Sequence, residues 1–269
     1  MITTAIIPVA GWGTRRLPIT KSIEKAMLPV GNRPLVDYVV EDCVKAGIRD
    51  IYFVVSEGST QLRSYYEHNG ALETYLIANG KEQALSLIQP PQVRFHYVEQ
   101  PNSGKYGTAV PISLVVPQLP RGESAVVLMG DDFIYNADGS SEVVRLLGAT
   151  PENGNGMLAA QVHPQAVSHY GVLQLNENND FVRIVEKPQP QQAPSNFINI
   201  SKYVFNYDLL SEIARYAELT ISGEYMVTEP INQYVIGGGS VRVIPAVGRY
   251  LDGGTVEGWL HANRVVLGE

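Results

Sequence analysis

The chain has a single cysteine, Cys43, among its 269 residues. One cysteine excludes an internal disulfide bond and a metal site built from several thiolates. Cys43 falls on the apolar side of a predicted helix, and free cysteines at such positions are usually buried. We therefore expect Cys43 to pack in the core.

The chain also lacks long hydrophobic runs and an excess of positive charge. No stretch reaches about 18 consecutive apolar residues, the length that suggests a membrane-spanning helix. The amino terminus lacks the basic region and long apolar run of a secretory signal. The 20 Lys and Arg are outnumbered by 27 Asp and Glu, which gives a formal net charge of -7. We expect a cytoplasmic protein that binds neither nucleic acid nor a membrane.

Several familiar catalytic motifs are missing. Gly11 and Gly13 have no third glycine at the spacing of a dinucleotide-binding loop, and Gly104 and Lys105 are followed by Tyr106, where a P-loop needs Ser or Thr. There is no Gly-x-Ser-x-Gly sequence. The five histidines form no i, i+4 pair with the spacing of a metalloprotease. These absences disfavour hydride transfer, P-loop hydrolysis, serine hydrolysis and zinc proteolysis.

The hydrophobic pattern predicts an α/β fold. A chain with 45% hydrophobic and 17% charged residues can bury a large core in one domain or in two closely packed ones. Strand-like and helix-like segments alternate, which favours a mostly parallel sheet with helices on both faces. Beyond Gly154 the strands become shorter, which predicts a smaller substrate-side β subregion.

The predicted elements follow the periodicity and the turn residues. The predicted strands cover residues 5–9, 51–55, 93–98, 125–129, 157–162, 171–175, 182–185, 197–205 and 241–245. The predicted helices cover residues 34–46, 61–68 and 227–235, a stretch that ends near 117, and a segment that begins at 255. Residues 71–88 have the pattern of a helical hairpin.

The loop 10–29 after the first strand has the composition of a phosphate-binding site. Gly11 and Gly13 allow the backbone to approach a ligand closely. Hydroxyl and cationic donors follow within fifteen residues. These donors are Thr14, Arg15, Arg16, Lys21 and Lys25. The loop therefore predicts a site for a small anionic ligand.

Carboxylates follow the predicted strand 125–129. Gly130 is succeeded by Asp131 and Asp132, at the end where parallel strands deliver side chains to a ligand crevice. Together with the cationic loop, isolated aspartates at strand ends can orient phosphates and one or two divalent ions.

The loop 8–29 resembles the signature loop of bacterial UTP–glucose-1-phosphate uridylyltransferases, within the family of sugar-phosphate nucleotidylyltransferases. Seven further segments resemble motifs of this family in the expected order. They are residues 71–85, 128–135, 170–175, 185–188, 193–196, 223–229 and 251–263. The resemblance therefore covers nearly the whole chain.

The resemblance implies a Rossmann-like three-layer sandwich with a mostly parallel mixed central sheet. It implies a single nucleotidylyltransferase domain, in which residues 1–150 mainly bind nucleotide and residues 151–269 mainly bind the sugar phosphate and supply the C-terminal helix. The implied reaction is Mg²⁺-dependent transfer from UTP to glucose 1-phosphate, giving UDP-glucose and pyrophosphate by direct in-line attack. The family commonly forms dimers or tetramers, so a homodimer or homotetramer is implied.

The resemblance also implies the roles of individual residues. Nucleotide binding is implied for Ala10, Gly11, Gly13, Thr14, Arg15, Gln100 and Asp131. Catalysis is implied for Arg15, Lys25 and Asp131. The sugar phosphate is implied to contact Gly171, Glu186 and Lys187, and the metal to contact Asp131 and Asp252. Asp132 is expected to be a neighbour of the metal site, and Arg16 and Lys21 to lie near the phosphates without being essential.

Three departures from the family pattern concern base recognition. Ala26 stands where a glutamate is usual, residues 101–108 replace a glycine-rich run and shift its lysine, and Met226 replaces a glutamine. Two alternatives therefore remain. The first is glucose-1-phosphate thymidylyltransferase activity with dTTP, and the second is a catalytically weak regulatory paralogue that binds nucleotide sugar. Retention of Arg15, Lys25, Asp131 and Asp252 argues against the second.

Overall fold

The computed structural model describes residues 1–269, which form thirteen strands and eight α-helices. The strands are β1 (Thr4–Pro8), β2 (Pro29–Val30), β3 (Arg33–Pro34), β4 (Asp50–Ser56), β5 (Arg94–Gln100), β6 (Ala125–Leu128), β7 (Asp132–Tyr135), β8 (Gly156–Gln161), β9 (Gly171–Leu175), β10 (Phe181–Glu186), β11 (Phe197–Phe205), β12 (Arg242–Pro245) and β13 (Arg249–Asp252). The helices are α1 (Leu35–Lys45), α2 (Gln61–Tyr66), α3 (Gly70–Ala78), α4 (Ala109–Val115), α5 (Glu142–Ala149), α6 (Tyr207–Glu218), α7 (Thr228–Ile236) and α8 (Val256–Leu267). None of the helices combines the length and the apolar character needed to cross a membrane.

A nine-stranded mixed sheet forms the centre of the molecule. Its main path runs β10-β9-β11-β6-β1-β4-β5, and β11 also pairs with β8, which pairs with β12. The strands β6, β1, β4 and β5 are parallel to one another. The strand β11 is antiparallel to β6, β8 and β9. The strands of the second half therefore continue the same sheet, and β9 and β10 form its antiparallel end.

Hydrophobic residues are buried on both faces of the sheet. Successive side chains of a strand point to opposite faces, and β1 shows this directly. Ala5 and Ile7 belong to one buried cluster with α1, whereas Ile6 belongs to the other cluster with α4 and α6. The predicted three-layer α/β fold is confirmed. Cys43 is 0% exposed in the first cluster, as expected, and burial raises the pKa of its thiol.

Most predicted elements are present, with bounds shifted by a few residues. The predicted hairpin 71–88 is one helix, α3, followed by a 3₁₀ segment at Glu82–Leu87. The helices α5 and α6 and the two-stranded ribbon β7-β13 were not predicted. For α6 the signal was present, because Leu209, Ile213 and Ala217 follow a helical period and are buried, and the Asn206 side chain caps the first turn.

The sheet topology brings two loops to one edge. Ala5 and Ile6 of β1 pair in parallel with Val126 and Val127 of β6. The carboxyl ends of β1 and β6 therefore lie side by side, so the loop after β1 and the aspartates after β6 emerge at the same place.

Candidate active site

A cleft of about 430 Å³ lies at the carboxyl ends of β1 and β6. It is lined by residues from the first loop, from the segment after β5 and from the end of β6. Seven of the predicted site residues line it together: Ala10, Gly11, Gly13, Thr14, Lys25, Gln100 and Asp131. Three separate segments of the sequence thus converge on one cavity.

Side-chain hydrogen bonds to two of its backbone carbonyls fix the conformation of the first loop. The Ser56 hydroxyl at the end of β4 donates to the Ala10 carbonyl at 2.8 Å, and the Thr20 hydroxyl donates to the Gly13 carbonyl at 2.9 Å. Gly13 has a φ of 64°, a left-handed conformation that glycine adopts without steric cost. The loop is therefore fixed by contacts outside the cleft, which leaves its inner surface free for a ligand.

Lys25 and Asp131 form an ion pair inside the cleft. Lys25 Nζ lies 2.7 Å from Asp131 Oδ2, and each side chain is 21% exposed. Burial acts to raise the pKa of Asp131, but the charges of Lys25, Lys202 and Arg15 outweigh burial and hold the pKa below its ordinary value. The carboxylate is therefore ionised at neutral pH.

Gly11 allows the loop backbone to approach this pair closely. A Cβ at Gly11 would lie 2.9 Å from Lys25 Nζ, a distance at which one of the two groups must shift. Lys25 Nζ is the end of a flexible side chain and can shift at little cost, so the contact shows how close the loop backbone lies to the ion pair.

Asp132, the next residue, is committed to a buried ion pair. Its carboxylate accepts a short hydrogen bond from Lys202 Nζ and a 2.9 Å hydrogen bond from the Tyr250 hydroxyl. Burial raises the pKa of Asp132 to about 6, and the Lys202 ammonium opposes the increase. The Asp132 carboxylate is thus bound to Lys202 and Tyr250. It was expected to be a neighbour of the metal site and not a ligand.

The ribbon β7-β13 brings Asp252 to the site. Asp252 pairs in register with Asp132, so it lies one residue from the partner position of Asp131. The loop that leads into β13 is anchored by Glu142, which is 1% exposed and accepts hydrogen bonds from the backbone of Val247 at 2.9 Å and of Gly248 at 2.7 Å. The position of Asp252 near Asp131 thus depends on long-range contacts.

The oxygens of Asp131 and Asp252 fit a magnesium site. Asp252 Oδ1 accepts from the Gly254 backbone at 2.7 Å, and Asp131 Oδ2 accepts from Lys25. The second oxygen of each carboxylate receives no hydrogen bond from the protein. No group of three or more His, Cys, Asp or Glu side chains that could hold a metal ion is present, so Mg²⁺ bound by these two carboxylates would complete its shell with water and substrate phosphates.

Arg15 lies beside Asp252, outside the lining of the nucleotide cleft. A Cβ at Gly254 would lie 3.0 Å from Arg15 Nη2 and 2.9 Å from Asp252 Oδ1. Its guanidinium also lowers the pKa of Asp131. The structure thus groups Arg15 with the two carboxylates that are predicted to bind metal.

Arg16 is buried, contrary to the expectation that it lies near the phosphates without being essential. It is 3% exposed, and its three guanidinium nitrogens have no hydrogen-bond partner in the protein. Burial lowers its pKa, against the charges of Asp131 and Asp252. A Cβ at Gly253 would lie 3.1 Å from Arg16 Nη2. Arg16 is therefore a buried cation close to the carboxylates of Asp131 and Asp252.

Gly171, Glu186 and Lys187 form a second group at the β9-β10 end of the sheet. Gly171 pairs with Glu186, and a Cβ at Gly171 would lie 3.0 Å from Glu186 Oε1. Lys187 has a φ of 45°, and its backbone donates to the Tyr170 carbonyl at 3.0 Å. Neither charged side chain joins an ion pair within the protein.

This second group does not line the nucleotide cleft. Tyr170, which precedes this group, lies near Asp252, because burial and then the charge of Asp252 raise the pKa of its phenol. A left-handed conformation at a lysine is uncommon and costs conformational energy. Such residues are frequent at functional sites, which makes Lys187 a distinctive position.

Of two departures from the family pattern, Lys105 lines the cleft and Ala26 does not. Ala26 is 0% exposed and packs in the core, where its methyl group does not contact a ligand in the cleft. The shifted lysine, Lys105, donates to the carbonyls of Ala217 at 2.6 Å and Leu219 at 3.0 Å. Its ammonium thus satisfies carbonyls at the end of α6, a helix that was not predicted.

The segment after Gln100 still contributes to the cleft wall. Gly107 has a φ of 120°, and a Cβ there would lie 2.5 Å from the Tyr225 carbonyl oxygen. The backbone of Tyr225 donates to the Tyr106 carbonyl at 2.9 Å. Only glycine fits at position 107, so the altered loop still requires a glycine at this point.

The nucleotidyl transferase family model matches residues 4–268. A UTP–glucose-1-phosphate uridylyltransferase from Haemophilus influenzae is 33% identical and aligns with 96% of this chain and 90% of its own. The enzyme of that name from Pseudomonas aeruginosa is 31% identical over 98% and 95%. A structure described as UTP-bound UGPase from Acinetobacter baumannii has a TM-score of 0.87 at 27% identity, covering 99% of this chain and 93% of that one.

These similarities confirm the resemblance indicated by the motifs, and they extend over almost the whole chain rather than over one segment. The solved relative shares the fold that carries the cleft, the cationic loop, Asp131 after β6 and Asp252 at the end of β13 in this chain. The protein therefore belongs to the nucleotidyl transferase family.

Proposed function

We propose that this protein transfers a uridylyl group from UTP to glucose 1-phosphate and produces UDP-glucose and pyrophosphate. The observation that carries the proposal is the pairing of Lys25 with Asp131 inside a cleft lined by the glycine loop and Gln100. The names of the full-length relatives support UTP and glucose 1-phosphate as the substrates.

The reaction needs no covalent enzyme intermediate. A phosphate oxygen of the sugar phosphate attacks the α-phosphorus of UTP, and the bond from that phosphorus to the oxygen bridging to the β-phosphate breaks. The electron pair stays on the departing pyrophosphate. Two polyanions must meet, and like unit charges at 4 Å repel by about 4 kcal/mol at an effective dielectric of 20. Cations and positioning therefore supply most of the acceleration.

The cations on the nucleotide side are Lys25 and Arg15. In our proposal Gly11, Gly13 and Thr14 hold the phosphates through backbone and hydroxyl donors. Lys25 leaves Asp131 and binds phosphate oxygens of both substrates. Arg15, which lies beside Asp252, adds positive charge near the place where negative charge develops on the departing pyrophosphate.

Asp131 and Asp252 would hold Mg²⁺. Mg²⁺ held there would supply positive charge that neutralises the negative charge developing on the phosphates. The ionised state of Asp131 and the unbonded oxygen on each carboxylate support this assignment. Asp132, the residue after Asp131, is paired with Lys202 and therefore does not compete for the ion.

The sugar phosphate occupies the β9-β10 end in this proposal. Glu186 accepts hydrogen bonds from sugar hydroxyls, Lys187 binds the phosphate, and the Gly171 backbone contacts the sugar. The absence of an ion pair at either charged side chain supports these roles, because both are free to bind a ligand.

The experiment is pyrophosphate release by purified protein with glucose 1-phosphate and each of UTP, dTTP, CTP, ATP and GTP, with and without Mg²⁺. We expect Mg²⁺-dependent release that is fastest with UTP. The altered segment 101–108 is the observation that favours dTTP as a second candidate. Preference for dTTP would reassign the base, and no release with any nucleotide would overturn the enzyme assignment in favour of a regulatory paralogue.

The family resemblance also supports a homodimer or a homotetramer. Light scattering coupled to size exclusion tests this point separately, and a monomeric mass for the active protein would contradict it.

A further inference from the structure

Trp12 is an exposed aromatic residue inside a mostly polar cleft. It stands between Gly11 and Gly13, and its side chain is among those lining the 430 Å³ cavity. The residue is 65% exposed. An indole offers a large flat apolar surface that gains free energy when it is covered. About two thirds of the residue's surface is therefore left uncovered by the protein.

The surroundings of Trp12 identify the kind of group that can cover it. Gly13, Thr14 and Lys25 offer donors for phosphates on the same loop, and Gln100 lies in the same cleft. A nucleoside triphosphate whose phosphates meet these donors places its base in the rest of the cavity. The base is the one flat aromatic group of such a ligand.

We propose that Trp12 stacks on the base of the bound nucleoside triphosphate. This inference rests on the proposed function and deepens it, because it adds a recognition element to the nucleotide site. Stacking on an aromatic side chain tolerates different bases, since every base has a π-face. Trp12 thus increases the affinity for UTP and dTTP alike, and the polar groups near Gln100 choose between them.

The test compares nucleotides with inorganic tripolyphosphate, which carries phosphates but no base. Dissociation constants are measured by calorimetry with Mg²⁺ for the wild type, Trp12→Ala, Trp12→Phe and the control Leu87→Ala. Leu87 is 82% exposed and does not line the cleft. We expect Trp12→Ala to weaken UTP and dTTP roughly tenfold or more, to leave tripolyphosphate unchanged, and Trp12→Phe to retain most of the affinity.

Tryptophan fluorescence gives a second measurement, made on a variant that keeps only Trp12. The chain has two tryptophans, and the Trp259→Phe variant reports on Trp12 alone. We expect UTP to change its emission strongly and tripolyphosphate to change it little.

The outcomes separate the two proposals. Equal UTP affinity in Trp12→Ala and the wild type, or an equal loss for tripolyphosphate, overturns the stacking role while the proposed function stands. Failure of the wild type to bind any nucleotide overturns both. Normal circular dichroism of each variant excludes misfolding as the cause.

Discussion

The Lys25 ammonium lies 2.7 Å from the Asp131 carboxylate in the ligand-free protein. In the proposed reaction, Lys25 binds phosphates and Asp131 binds Mg²⁺, so both must exchange this partner for a ligand. The pair therefore helps to keep the Asp131 carboxylate ionised, because the charge of Lys25 lowers its pKa. It also holds the two groups at adjacent positions until the substrates arrive.

Removal of either member of the pair should stop most turnover without unfolding the protein. We expect Lys25→Ala and Asp131→Asn each to lower kcat by about 100-fold or more, because charge stabilisation of this kind contributes factors of that size. Pyrophosphate release measures kcat, and thermal unfolding checks the fold. Lys21→Ala is the matched control, since Lys21 is exposed and does not line the cleft. Near-normal turnover in either site variant would remove that residue from the mechanism.

The same pair predicts an opposite effect on nucleotide binding. In the absence of Mg²⁺, Asp131 repels the phosphates and holds Lys25. Asp131→Asn removes the negative charge, so we expect UTP to bind at least as tightly as to the wild type, although turnover is lost. Calorimetry without Mg²⁺ measures this. A large loss of affinity in Asp131→Asn would show that Asp131 attracts the nucleotide by another route.

The buried Lys202 and Asp132 pair should affect stability more than recognition. Their side chains are 4% and 11% exposed. Lys202→Met leaves Asp132 buried without its cation, a change that typically costs about 3 to 5 kcal/mol. We expect urea unfolding to show a loss of that size and the double variant Lys202→Met/Asp132→Asn to be more stable than Lys202→Met. A double variant no more stable than Lys202→Met would mean that the unpaired charge is not the cause.

Lys187 should affect glucose 1-phosphate specifically. Lys187→Asn removes the charge but keeps a residue that tolerates the left-handed backbone. We expect the KM for glucose 1-phosphate to increase roughly tenfold, in line with loss of a charge-assisted hydrogen bond, and the KM for UTP to stay the same. Steady-state kinetics with each substrate varied tests the split, and equal increases in both KM values would contradict a sugar-side role.

The sequence predicts the parts of the site that depend on local patterns. The first loop follows a short apolar strand and carries its glycines and cations within one segment. Asp131 follows another apolar strand directly. Because parallel strands deliver their carboxyl ends to one edge, these groups could be expected to meet. The cleft contains both glycines, Lys25 and Asp131.

Other parts depend on contacts between distant residues. Asp132 and Lys202 are separated by 70 positions, and β7 pairs with β13 through strands of only four residues each. Neither pairing leaves a periodic signal. A lysine within the apolar strand β11 was the one local hint of a buried ion pair, because lysine is rarely buried without a partner.

The roles of Ala26 and Lys105 could not be judged from alignment with family motifs. Whether a side chain faces the cleft or the core depends on the turn of the backbone in an irregular loop. Ala26 faces the core, and Lys105 reaches the end of α6. The three-dimensional packing therefore decides which departures can affect the base.

The most direct test of the central claim follows the α-phosphate of the nucleotide. Purified protein is incubated with Mg²⁺, glucose 1-phosphate and UTP that is radiolabelled at the α-phosphate, and the products are separated. We predict that the label appears in UDP-glucose, with unlabelled pyrophosphate released in equal amount and no labelled protein. Label that stays in UTP, or that is recovered as UMP without UDP-glucose, would contradict the proposed uridylyl transfer.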